Sequence, residues 1–137
     1  MMVKPALHSA ALLLLLLLSG ILTEYDDQVP LKVVVKNQID GVAPLNYNTS
    51  VVYRGILLGA LKRLMSLNSD FKFTYTENLN YGPYLESVNG LAGNSADHTY
   101  WELLVEYPNG ATKRPDVGIG CYIPAINETI ILNFTKW

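Results

Sequence analysis

Cysteine is almost missing from this chain: Cys121 is the single one among 137 residues. A lone thiol excludes an internal disulfide and leaves two readings, a small buried apolar residue or a bridge between chains. Histidine is nearly as scarce, with His8 and His98 only, so a metal site has too few ligands to converge. No run of basic residues occurs, and Lys plus Arg number 10 against 12 Asp and Glu. That balance offers a phosphate backbone nothing to follow, which excludes nucleic acid as a partner. A phosphate-cradling loop is absent too, because Gly118-Ile119-Gly120 lacks the lysine and helix that should follow. No nucleophile elbow appears, and the carboxylates Asp70, Glu77, Glu86, Asp97, Glu102, Glu106, Asp116 and Glu128 show no spacing that recommends an acid–base pair. These absences argue against an enzyme and against a catalytic cofactor.

Long apolar runs are also lacking, except one. Lys4 precedes Ala10-Ala11, seven leucines from Leu12 to Leu18, and Ser19-Gly20. A basic start, an apolar stretch of about ten residues and a small-residue exit is the pattern of a secretory signal peptide. It is too short for the ~20 residues that a membrane span needs. Residues 1–23 are therefore expected to be removed, with cleavage after Gly20 or Thr23, and the mature protein to be extracellular with no membrane span. Residues 24–137 then form one domain, large enough for a core without staples. Three Asn-x-Ser/Thr sequons, at Asn48, Asn127 and Asn133, fit a glycosylated surface in an exported protein. Sugar on Asn133 requires its strand face to be wet.

What is present is alternation. Leu31, Val33, Val35, Asn37 and Ile39 fall on one face of a strand, and Asp40-Gly41 turns the chain into a short strand over Val42 to Tyr47. Thr49 or Ser50 is placed to cap a helix. Its apolar stripe runs through Tyr53, Leu57, Ala60, Leu64 and Leu67, widened by Val52, Ile56 and Leu61. Strand patterns follow at Phe71 to Tyr75, at Tyr81 to Val88 before the turn pair Asn89-Gly90, at His98 to Tyr107, and at Ile130 to Thr135. One helix followed by runs of strands predicts an α+β domain, a single helix packed on a mostly antiparallel or mixed sheet, β-grasp-like. His98 reads as a solvated loop residue. Tyr100, Glu102, Leu104 and Glu106 share a face that reads as partly exposed. Tyrosine is frequent, with Tyr47, Tyr81, Tyr84, Tyr107 and Tyr122 in or near loops; such rings suit recognition or are ordinary strand residues.

Five pieces in order carry a resemblance: FKF (Phe71 to Phe73), YGPYLESVNGL (Tyr81 to Leu91), TYWELL (Thr99 to Leu104), GIGCYIP (Gly118 to Pro124) and ILNFTKW (Ile131 to Trp137). Over residues 31–137 the chain resembles the C-terminal β domain of the cobalamin transport proteins, the family of intrinsic factor, transcobalamin and haptocorrin. In that family a helical barrel and a small β domain hold the corrinoid between them. The resemblance implies cobalamin as a transported ligand, extracellular transport and no catalysis. Carried over by position, contacts fall on Tyr81 and Leu85, on Trp101 and Leu103, and on the loop around Pro115 to Val117. Trp101 either meets the ligand or lies buried against the helix. No stretch here matches the helical barrel, so a separate helical chain, self-association or a receptor is the implied partner. The chain also departs from the family pattern. Tyr81 stands where the family usually has Trp. The loop EYPNGATKRPDV (Glu106 to Val117) is longer and carries Lys113 and Arg114, and Asp116 lies near an apolar family position. Cys121 replaces a small residue. The other reading of the sequence is an extracellular protein-interaction module that keeps the fold without binding cobalamin.

Overall fold

The structure, a computed structural model, describes residues 27–137; the expected leader over 1–23 lies outside the described residues. Strand β1 (Gln28–Asn37) buries Leu31, Val33 and Val35 while its lysines stay in water, as the alternation requires. Asn37 then closes the turn with its side chain, whose Oδ1 accepts from the amides of Ile39 (3.1 Å) and Asp40 (2.9 Å). Gly41, at φ +64°, reverses the chain into β2 (Val42–Val52), which pairs antiparallel with β1.

β2 does not stop at Tyr47 but continues to Val52, with Thr49 and Ser50 opposite Leu31 and Pro30 in the ladder. They cap no helix. Helix α1 (Leu57–Leu67) starts after a turn in which Gly55 N donates to Val52 O at 2.7 Å, and Ile56 at its N-cap makes no side-chain cap. The first amides of α1 are satisfied from far away, Leu57 N by Tyr122 O and Leu58 N by Ile119 O, both at 2.8 Å. Its buried stripe is Leu57, Leu58, Ala60, Leu61 and Leu64; Val52, Tyr53 and Leu67 are exposed.

After α1 come β3 (Phe73–Asn78), β4 (Gly82–Val88) and β5 (Leu91–Ala92), an antiparallel three-stranded sheet. Asn89 and Gly90 both sit at positive φ between β4 and β5, the two-residue turn that matches strand twist. β6 (Thr99–Glu106), β7 (Thr112–Lys113) and β8 (Thr129–Lys136) complete a five-stranded sheet in the order β2-β1-β8-β6-β7. β1 and β8 run parallel at its centre, and every other pair is antiparallel. Among the described residues, one helix on a mixed sheet, with the first and last strands adjacent, is the expected grasp-like α+β arrangement. Val33, Leu57, Leu61, Phe71, Val105, Ile130 and Leu132 fill the core between the helix and the sheets. No helix among the described residues is long and apolar enough to cross a membrane.

Candidate functional site

The turn between β3 and β4 forms a tip. Asn78 Oδ1 accepts from the amides of Asn80 (2.8 Å) and Tyr81 (3.1 Å), and Gly82 takes φ +76°. This holds Tyr81 out in water, 85 % exposed. Pro83 follows and packs on the segment Gly118 to Gly120, where a Cβ added at position 120 would lie 2.5 Å from Pro83 Cδ. Only a glycine fits that approach, and it seats the Pro115–Val117 loop beside the strand of Tyr81. Val117 is 45 % exposed and Pro115 half-buried. Gly120→Ala is expected to cost about 1–3 kcal/mol, because a proline ring cannot swing aside. Thermal unfolding checks the cost; an unchanged midpoint would show that the loop stands free of the tip.

A buried carboxylate braces the same loop. Glu128 Oε1 accepts from Tyr122 Oη at 2.6 Å and from Ala125 N at 2.8 Å. Burial first, and then this hydrogen bond and the Glu128 charge, push the Tyr122 hydroxyl well above the usual tyrosine range. Through the carbonyls of Ile119 and Tyr122 the loop also seats the start of α1. One loop therefore ties the helix, the tip and the end of the five-stranded sheet together.

The expected contact residues separate into two groups. Tyr81, Pro115 and Val117 keep accessible surface, and Leu103 is half-buried against the core. Leu85 and Trp101 do not: they are 6 % and 5 % exposed and belong to the core. That burial departs from the surface contact expected of Leu85, and for Trp101 it matches the buried one of the two readings. Leu85 and Val88 both turn inward because a bulge, with Leu85 and Ser87 opposite the adjacent Tyr75 and Thr74, resets the alternation between them, and Trp101 shares its inward face with Thr99 and Val105. Trp101 Nε1 donates to Leu91 O at 2.8 Å, and its ring lies 5.2 Å from that of Phe134. The open question about Trp101 is thus answered as core. Cys121 is exposed, against the buried reading, and His98 is the exposed loop residue expected.

On the sheet face away from α1 lies a polar network that sequence spacing did not reveal. Arg114, from the long loop, pairs with Glu102 Oε2 and donates to Tyr100 Oη at 3.2 Å. Asn133 Nδ2 donates to Glu102 Oε1 (3.2 Å) and to Gln38 Oε1 (3.0 Å). Asn133 is only 5 % exposed, so the wet face that sugar there requires is not present: the side-chain nitrogen is buried and doubly engaged. Asn48 and Asn127 are exposed and line one shallow groove with Pro30 and Lys32.

Burial alone would raise the carboxyl of Glu102, but hydrogen bonds from Asn133 and Arg114, with the Arg114 charge, hold it below its ordinary value. A carboxyl depressed in the fold stabilises it above the unfolded-state value, and that contribution disappears as pH falls through the folded-state value. The thermal midpoint is expected to drop on acidification below about pH 4.5, and less steeply in Glu102→Gln. Parallel pH profiles of the two proteins would contradict the network.

No model of a known protein family matches the chain. Among curated proteins, mouse cobalamin binding intrinsic factor is 35 % identical over 126 residues, covering 85 % of this chain and 29 % of its own length. The human protein of the same name is 34 % identical over 106 residues, 75 % of this chain and 24 % of its own. The chain belongs to the cobalamin carrier family. Human transcobalamin-1 is a further carrier relative, 29 % identical over 91 residues. A crystal structure of haptocorrin in complex with Cbi superimposes with a TM-score of 0.68 at 24 % identity, over 80 % of this chain and 25 % of that one, and shares the fold. This carrier-family chain spans less than a third of the length of the intrinsic factors it matches. Among the described residues no group of His, Cys, Asp or Glu is arranged to hold a metal ion.

Proposed function

We propose that this chain is an exported corrinoid-binding protein whose tip and long loop cover one side of cobalamin. Tyr81, Leu103, Pro115 and Val117 make the contacts, while Leu85 and Trp101 support them from beneath. One observation carries the reading. Two stretches that the family resemblance named separately, the Tyr81 strand and the Pro115–Val117 loop, meet through Pro83 and Gly120 and present apolar groups to water. A flat ligand covered on one side keeps much of its surface wet, so a second helical element completes the cleft. The chain performs no chemistry on the ligand. Asn48 and Asn127 carry sugar in the secreted form, and Asn133 does not; peptide mass mapping of secreted protein reads this directly, and sugar at Asn133 would overturn it.

The test is a spectral titration of cobalamin with the purified chain, alone and with a helical-domain fragment from a relative. Saturable binding with the fragment, weakened about tenfold or more by Tyr81→Ala, is the expected result. No spectral change in either arm, at protein concentrations of about 100 μM, rejects the reading. A second reading gains from the burial of Leu85 and Trp101, which withdraws two apolar contacts from any ligand. It is an extracellular module that keeps the fold and binds a protein. A colourless preparation retained by a secreted partner or receptor supports it, whereas a co-purifying corrinoid spectrum excludes it.

A further inference from the structure

Tyr84 on β4, Tyr100 on β6 and Trp137 just after β8 alone line a shallow cavity of about 290 Å³. The rings of Tyr100 and Trp137 stand 5.9 Å apart with their planes at 75°, which makes a corner. Tyr84 supplies a further wall. Tyr84 and Trp137 are more than half exposed, so the rings face solvent rather than the core. Tyr84 is exposed on β4, whereas Leu85 beside it is buried, so this corner lies on a different side from the inward-facing residues.

The walls are set before any ligand arrives. Trp137 N donates to His98 O at 3.0 Å, and the His98 ring meets the indole edge-on at 5.1 Å. The Tyr100 hydroxyl is engaged by Glu102 and Arg114. That engagement matters for what fits. A sugar or a nucleobase brings hydroxyls and amides that need partners, and here the lining is almost entirely ring carbon. Two walls near a right angle also leave a pocket for a rounded group rather than a slot for a flat one. Aromatic faces attract a cation placed over them. The nearby Arg114 charge is matched by Glu102, so it does not repel one.

We propose that this corner binds a small soluble quaternary ammonium ion of the choline type. Three methyl groups and a positive charge with no N–H match a lining made mostly of electron-rich ring faces.

The full chain is titrated with choline and with tetramethylammonium, reading side-chain NMR shifts and Trp137 emission; Trp101, buried, serves as the internal reference. Shifts confined to Tyr84, Tyr100, Trp137 and His98, with half-saturation on the order of millimolar, are expected for an open site. The neutral isostere 3,3-dimethylbutan-1-ol is expected to bind roughly two- to fivefold more weakly. Trp137→Ala and Tyr84→Ala are each expected to weaken choline at least tenfold, with an unchanged circular dichroism spectrum. Equal binding of the isostere, an equal response to glucose, or no shift at about 100 mM choline overturns the proposal. So does capture by phosphatidylcholine vesicles without any response to free choline.

Discussion

Trp101→Ala is expected to lower the unfolding free energy by about 3–5 kcal/mol, a large part of the 5–15 kcal/mol typical of a domain. Two effects add. Removing the indole empties space between Phe134 and the core, which neighbours fill only in part. It also removes the hydrogen bond from Nε1 to Leu91 O at 2.8 Å, worth about 0.5–1.5 kcal/mol. Trp101→Phe separates them, since it keeps most of the packing and loses only the hydrogen bond. Urea unfolding of the three proteins measures both. A loss under about 1 kcal/mol for the alanine variant would return Trp101 to the surface and reopen it as a ligand contact.

Fusing the chain to a helical half is expected to tighten cobalamin binding by ~10²–10⁴ relative to mixing the two pieces. On the proposed function each piece alone meets one side of the ligand. In the mixture, the second encounter is paid for at whatever concentration the partner happens to have. A tether replaces that with a local concentration on the order of millimolar, without any new contact. The chain covers 29 % of mouse intrinsic factor, so the comparison of fused and separate pieces isolates what the remaining length contributes. Monomeric chain that binds cobalamin one-to-one at sub-nanomolar strength would refute this, because the tip would then suffice.

Much of the sheet was legible because alternation is local. Leu31, Val33 and Val35, the Asn89-Gly90 turn and the inward set Ile130, Leu132 and Phe134 each declare themselves within a few residues. The start of α1 was not legible, since its cap is a pair of carbonyls more than sixty residues away, Ile119 and Tyr122. Thr49 and Ser50 offered a better local signal and lost to the ladder with β1. The site shows the same division. The exposure of Tyr81 was legible, since it was read in or near a loop and lies 85 % exposed at the turn between β3 and β4. The burial of Leu85 and Asn133 was not, since it depends on what other strands bring: the bulge against β3 that turns Leu85 inward with Val88, and the partners Gln38 and Glu102. Arg114 was noticed only as an insertion, and its grip on Glu102 needs the fold to bring the two together.

The parallel seam between residues 32–37 and 129–134 has a kinetic side. The central gap of the sheet is closed by a segment far downstream in sequence, so the hairpin of β1 and β2 must wait for the helix and the intervening strands to be made before it gains its second neighbour. Such distant pairing slows folding and leaves an unpaired edge open to other nascent chains meanwhile.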